Sequence, residues 1–214
     1  MPCPLCRSDS AEFIYERKDP HLGFRRYYQC PQCYLTFLDP KNRLTAQAEK
    51  TRYDLHQNSP DDPRYCQFLN QLLDPLILRL KPQTQGLDFG CGPGPTVSKL
   101  LEEKGYVIKE YDPFYFPQQE LLNETYDFIT CTETVEHFYD PRAEFERFHR
   151  LLKYKGLLGI MTKFRNPQDE FATWWYHQEP THVSFYQRET IRWIAKWLGW
   201  RIELLEENVV IFGK

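Results

Sequence analysis

The sequence predicts an α/β protein: a doubly wound, mostly parallel sheet preceded by a small four-cysteine ribbon. Three observations carry this expectation. From Gly86 onward, short apolar runs alternate with amphipathic helical stretches, the pattern of a sheet covered by helices on both faces. The first such run ends in Leu87-Asp88-Phe89-Gly90-Cys91-Gly92-Pro93-Gly94-Pro95, a glycine turn that leads into a helix. Two Cys-x-x-Cys pairs, Cys3 with Cys6 and Cys30 with Cys33, stand within the first forty residues.

The chain has 214 residues, enough for one sizeable core and a small appendage. Charge is nearly balanced, Lys+Arg 27 against Asp+Glu 30, which argues against nucleic acid as the main partner. There is no apolar run long enough to span a membrane, and no signal peptide is visible behind Met1. Four of the seven cysteines come in paired spacing, with Cys66, Cys91 and Cys131 apart from them. This is a metal site in a reducing compartment rather than a disulfide framework, and it points to the cytoplasm.

Residues 1–40 are expected to form a zinc ribbon. Each Cys-x-x-Cys lets two thiolates grip one ion from a single turn, so Cys3, Cys6, Cys30 and Cys33 complete a closed structural Zn²⁺ shell. Short strands are expected at Phe13 to Tyr15 and Phe24 to Gln29. Arg17, Lys18, Arg25 and Arg26 would be exposed on this ribbon, with Glu12, Glu16 and Asp19 among them. Residues 41–63 read as a polar boundary segment with a short helix near Thr45 to Tyr53.

The main domain is expected over residues 64–214. Its first helix, Arg64 to Leu80, carries Phe68, Leu72, Leu76 and Leu80 four apart, with a kink or break at Pro75. The strand ending in the glycine turn leads to a helix from Thr96 to Lys104, stopped by Gly105. Strands follow at Tyr106 to Tyr111 and Tyr126 to Cys131. Asp140-Pro141 reads as an N-cap with proline at the first helical position. That helix buries Phe145, Phe148 and Leu152 and ends at Gly156, ahead of a strand from Leu157 to Lys163. After a long non-repetitive stretch, Ile191, Ile194, Ala195 and Leu198 mark the last helix. Trp200 to Leu205 and Val209 to Gly213 read as a closing hairpin.

Glycine lacks a Cβ and takes positive φ, so a ligand can lie against the backbone of Gly90, Gly92 and Gly94. Asp88 precedes the turn, and a second acidic residue, Asp112, ends the next strand, where a ribose can be held. The glycine spacing is Asp-x-Gly-x-Gly-x-Gly and not the Gly-x-Gly-x-x-Gly of dinucleotide folds. With Glu110-Tyr111-Asp112, Tyr126 to His137 including Glu136-His137, Leu151 to Ile160 and the ending Trp197-Leu198-Gly199-Trp200, the sequence from Arg64 onward resembles the class I S-adenosylmethionine (SAM)-dependent methyltransferases. The leading ribbon resembles a subset of them that methylate small molecules.

The resemblance implies a Rossmann-like sheet of seven strands, ordered 3-2-1-4-5-7-6 with the seventh antiparallel. Only residues 113–125 separate Asp112 from Tyr126, so the third strand is expected to be reduced or missing. The resemblance further implies that Asp88, Gly90, Cys91, Gly92 and Gly94 line the methionine end of SAM and that Asp112 holds its ribose. Cys131, Thr132 and Glu133 would pass beside the cofactor, and Phe114, Tyr115 and Phe116 would pack on the adenine.

Methyl transfer from a sulfonium needs alignment and water exclusion, and a base only if the acceptor must lose a proton. His137, His177 and His182 could each supply a base, with His137 and His182 the candidate catalytic residues; for His137 a capping or packing role stands beside this one. Phe171, Trp174, Trp175, Tyr176, Phe185 and Tyr186 would either roof an acceptor pocket or cover the core. The expected activity is methyl transfer to a small-molecule acceptor. The alternatives are an RNA- or protein-directed enzyme that docks through the ribbon, and a non-catalytic SAM-binding protein. Nothing in the residues speaks to oligomeric state.

Overall fold

A computed structural model describes residues 1–55 and 58–214, and its backbone hydrogen bonds form two sheets. Residues 56 and 57 of the expected boundary segment lie outside the described residues. The elements are β1 (Glu12–Asp19), β2 (Gly23–Gln29), β3 (Thr36–Leu38), α1 (Ala46–Tyr53), α2 (Pro63–Ile77), β4 (Gln85–Phe89), α3 (Thr96–Glu102) and β5 (Val107–Tyr111), then β6 (Tyr126–Thr132), α4 (Pro141–Leu151), β7 (Leu152–Met161), β8 (Ser184–Phe185), α5 (Arg188–Leu198), β9 (Arg201–Leu205) and β10 (Val209–Gly213).

The larger sheet runs β5-β4-β6-β7-β10-β9. β4, β5, β6 and β7 pair in parallel, and β10 is antiparallel to both its neighbours. This is the expected order with the third strand absent. After β5 the chain makes one isolated bridge, Asp112 to Phe116, and a short 3-10 turn at Gln119–Asn123 before entering β6. Among the described residues the sheet has six strands.

Strand periodicity sorts the core into two layers. Ile129, Ile160 and Val210 face Phe145 and Phe148 of α4 and Ile191 and Ile194 of α5. Their chain neighbours Phe128, Met161 and Ile211 point the other way, onto Leu69, Leu72, Leu73 and Leu76 of α2 and Leu101 of α3.

The smaller sheet is antiparallel, β1-β2-β3-β8. Its last strand comes from the stretch the sequence leaves without pattern: Thr36 pairs with Phe185 and Phe37 with Ser184. Cys3, Cys30, Cys33, Leu35 and Phe37 sit in one apolar cluster with Leu87, Phe145 and Ile160, so the first forty residues share a sheet and a core with the rest.

Several local expectations shift. α2 is one helix with Pro75 in its last turn, where the proline removes a single ladder bond and only two helical residues follow it. It buries Leu69, Leu72, Leu73 and Leu76, while Phe68 and Leu80 are only half-buried. α4 is capped as expected, Asp140 Oδ1 accepting from Ala143 N at 3.1 Å. Leu152, however, opens β7, and Gly156 lies inside that strand beside Lys155 at φ 63°. No helix among the described residues is long and apolar enough to cross a membrane.

Candidate functional site

At the carboxyl ends of β4, β5 and β6 the strand order reverses, and a cleft of about 610 Å³ opens there. The glycine turn forms one wall. Gly90 has φ +79°, and a Cβ on it would lie 2.3 Å from Thr134 Cγ2. Its N–H donates to Tyr111 O at 2.7 Å, pinning the turn to the end of β5. A Cβ on Gly94 would meet the carbonyl oxygen of Asn58 at 2.1 Å, so Asn58, ahead of α2, packs directly on bare backbone.

Asp112 organises the turn. Its Oδ2 accepts from Gly92 N at 3.1 Å, and its Oδ1 accepts from Phe114 N at 2.8 Å and Tyr115 N at 3.1 Å. A carboxylate offers about four acceptor positions, so Oδ2 keeps one for a ligand hydroxyl. Phe114 and Tyr115 line the cleft beside it. Cys91 does too, and burial pushes its thiol well above the ordinary range.

Asp88 is buried at the tip of β4, where Oδ1 accepts from Thr130 Oγ1 at 2.8 Å. Burial, reinforced by the charges of Glu110 and Asp112, pushes its carboxyl up to about 7. A raised carboxyl makes the folded state hold a proton that the unfolded state has already lost. Stability therefore falls as pH rises from about 4 to about 7, by ~4 kcal/mol at most. Asp88→Asn keeps the bond from Thr130 and removes this slope. In thermal melts of ligand-free protein the variant is expected to match the parent near pH 4.5 and to exceed it at pH 8. Parallel curves across that range would contradict the assignment.

The opposite wall follows β6. Thr132 and Glu133 line the cleft. Cys131 does not: its side chain is fully buried in the core with Leu87 and Ile160, because alternation along β6 turns it away. Glu133 takes φ 46°, an unusual conformation for a side-chain-bearing residue and one that clusters at functional sites. Its surface stays open to solvent, while desolvation by the residues packed around it, and then the neighbouring Glu136, raise its carboxyl.

Glu136 is fully buried and tied from two sides, Oε1 accepting from Tyr176 OH at 2.6 Å and Oε2 from Thr162 Oγ1 at 2.9 Å. Its backbone oxygen accepts from Val183 N at 2.9 Å, which brings His182 beside His137, ring centroids 4.9 Å apart. His137 Nδ1 bonds Thr181 O at 3.1 Å and His182 Nδ1 bonds Tyr176 O at 2.8 Å. Burial holds the His182 imidazole down to about 4, so it is neutral at physiological pH.

The aromatic loop is not the roof: Phe171, Trp174, Tyr176 and Phe185 form a core with Tyr27 and Leu38 of the first sheet, Tyr186 joins the main core, and Trp175 is exposed. His177 is buried among Tyr15, Tyr27 and Phe171, away from the cleft. The cover comes from α1, within the expected boundary segment. Glu49 and Tyr53, one helical turn apart, both line the cleft, and Tyr53 OH donates to Glu49 at 2.7 Å. Burial raises the Glu49 carboxyl. Glu49 and Tyr53 are the residues sequence reasoning missed, and their four-residue spacing was the available signal; Glu136 was seen only as part of the Glu136-His137 motif.

The four ribbon cysteines converge. Their sulfurs all lie within 4.8 Å of one another, with Cys3 to Cys33 and Cys6 to Cys30 at 3.4 Å. The two turns match: Arg7 and Tyr34, each following a second cysteine, have φ 67° and 62°. Tetrahedral Zn–S bonds of ~2.3 Å place sulfurs roughly 3.8 Å apart, so the donor set suits a zinc ion.

Residues 33–205 match the family model described as "Methyltransferase domain". The chain belongs to that family. Among curated relatives, the chain is 32% identical over 84 residues to the ubiquinone biosynthesis O-methyltransferase of Pseudomonas paraeruginosa, covering 39% of this chain and 36% of that one. The same enzyme of Pseudomonas syringae matches over the same length at 32%. The chain thus aligns with about a third of the length of these relatives. A solved structure of Burkholderia thailandensis 1,6-didemethyltoxoflavin-N1-methyltransferase, with 1,6-didemethyltoxoflavin and S-adenosylhomocysteine bound, is similar at TM-score 0.56 and 14% identity over 95% of this chain and 99% of that one. Human N-acetylserotonin methyltransferase in complex with SAM is similar at TM-score 0.53 and 12% identity, over 78% and 57%. At these identities the likeness is one of fold.

Proposed function

We propose that the protein transfers a methyl group from SAM to a small-molecule acceptor, that Cys3, Cys6, Cys30 and Cys33 hold a structural zinc ion, and that it works in the reducing cytoplasm. Residues 1–40 are then a ribbon that folds on its metal and 64–214 the methyltransferase domain. One observation carries the reading. The glycine turn, Asp112 and the wall of Glu136, His137 and His182 face a single cleft that α1 covers.

Bound SAM would supply an electrophilic methyl group on a sulfonium. The chain's own tasks follow from the geometry. Gly90, Gly92 and Gly94 admit the cofactor against the backbone, Asp112 and Asp88 hold its polar groups, and Thr132 and Glu133 flank it. Glu49 and Tyr53 exclude water from the acceptor side. Each histidine is held at Nδ1 by a backbone carbonyl, which leaves its Nε2 free to meet the acceptor.

The ribbon offers little to a nucleic acid. Arg25 is buried, its guanidinium donating to Pro180 O at 2.9 Å, contrary to its expected exposure. Arg7 pairs with Asp140, Arg17 with Asp19 and Arg26 with Glu16. Calorimetry with SAM and with its demethylated product is expected to show one site per chain. Saturation at a hundredfold excess over Kd should stabilise the fold by about 2.7 kcal/mol. No heat and no thermal shift with either compound would remove the cofactor from the reading.

A further inference from the structure

At the acceptor end of the cleft two carboxyl side chains and two imidazoles come together. Glu133 and Glu136 stand together there, and among the described residues no salt bridge reaches either: Lys163, the lysine whose charge Glu133 feels, is paired with Glu207. Beside them, one ring nitrogen of His137, one of His182 and a carboxylate oxygen of Glu136 all lie within 4.8 Å of one another.

Both histidines are prepared in the same way. Each has Nδ1 against a backbone carbonyl, Thr181 O for His137 and Tyr176 O for His182. A carbonyl only accepts, so Nδ1 carries a proton and Nε2 is left free of the backbone. No hydrogen bond engages either Nε2 among the described residues. Metal-bound histidines are oriented in this manner, their second nitrogen donating to a carbonyl or carboxylate. Glu136 is likewise held from behind by Tyr176 and Thr162.

We propose that Glu136, His137 and His182 bind a divalent first-row cation at the acceptor end of the cleft. Two imidazoles and one carboxylate on one side of an ion leave its other positions open. Those positions face the cleft, where an oxygen of the acceptor would bind. Ligand atoms ~2.1 Å from a shared ion stand roughly 3 to 4.2 Å apart, so a small closure suffices, and the half-exposed His137 ring can supply it. This site is separate from the four-cysteine cluster, which offers only sulfur. The inference deepens the proposed methyl transfer, yet binding of the ion does not depend on SAM.

Mn²⁺ is the probe, because a hard ion disfavours the thiolates. Protein with its ribbon zinc retained is titrated with Mn²⁺, and free Mn²⁺ is followed by electron paramagnetic resonance. One Mn²⁺ is expected per chain, with His182→Ala and His137→Ala each weakening it at least tenfold and His149→Ala, distant on α4, leaving it unchanged. Co²⁺ should give a visible spectrum without thiolate charge-transfer bands. Circular dichroism verifies that each variant is folded. Absence of Mn²⁺ and Co²⁺ binding beyond the ribbon, or binding indifferent to both histidine variants, overturns the proposal. SAM calorimetry on the same samples is scored separately, so loss of the cofactor reading and loss of the cation site give different results.

Discussion

Replacing Cys33 with serine is expected to destabilise the whole chain, not to detach its first forty residues. If the ribbon were an appendage, losing a zinc ligand would melt it alone. The structure ties it in at four places. β3 pairs with β8. Cys3, Cys30 and Cys33 pack in the cluster that holds Phe145 and Ile160. Tyr27 and Leu38 complete the core of the aromatic loop. Arg7 reaches the helix-capping carboxylate of Asp140 at 2.6 Å. A structural zinc contributes on the order of 10 kcal/mol of folding free energy, and removing one thiolate of four forfeits a large part of it. A loss of ~5 kcal/mol lowers Tm by roughly 10–20 °C for a chain this long. Tryptophan fluorescence and far-ultraviolet circular dichroism should report one shared, shifted transition, and a strong chelator should reproduce it in the parent. Cys66→Ser, outside the cluster, should leave Tm nearly unchanged. A separate early transition with the main one unmoved would show that the ribbon folds independently.

The features legible in the sequence are those written in local pattern. The glycine turn shows because a strand-to-helix reversal with a close ligand wall demands residues without Cβ, and Gly90 at φ +79° is one. The missing third strand shows because residues 113–125 are too few for a helix and a strand. Asp140-Pro141 shows because a cap needs only its own neighbours. What stayed hidden depends on distant parts of the chain. β8 is two residues long and exists because β3 offers an edge. The aromatic loop reads equally as roof or core, and only the position of Tyr27 decides between them. Leu152 suits a helix period and a strand period alike, and pairing of Tyr126 with it settles the matter for the strand. His182 is visible as a candidate, but its partnership with Glu136 arises from a backbone bond between Val183 and Glu136.

Asp112→Ala is expected to weaken SAM binding about 100-fold or more, and Asp112→Asn to separate the two jobs of this carboxylate. The side chain both shapes the glycine turn, through Gly92 N at 3.1 Å, and closes the following turn, through Phe114 N at 2.8 Å. Hydrogen bonds to a charged group contribute ~1.5–3 kcal/mol each, so losing the Gly92 bond together with a ligand hydroxyl costs about 3 kcal/mol or more, a factor of roughly 100 in Kd. Asparagine can keep its oxygen on Phe114 and Tyr115. Its amide nitrogen then faces the N–H of Gly92, donor against donor, and offers the ligand no acceptor. Thermal stability should therefore fall in the order parent, Asn, Ala, with Asn close to the parent, while SAM affinity drops sharply in both variants. Calorimetry and thermal melts on the three proteins test this directly. An Asn variant that binds SAM within about twofold of the parent would mean that Asp112 serves only the backbone turn and that the ribose is held elsewhere.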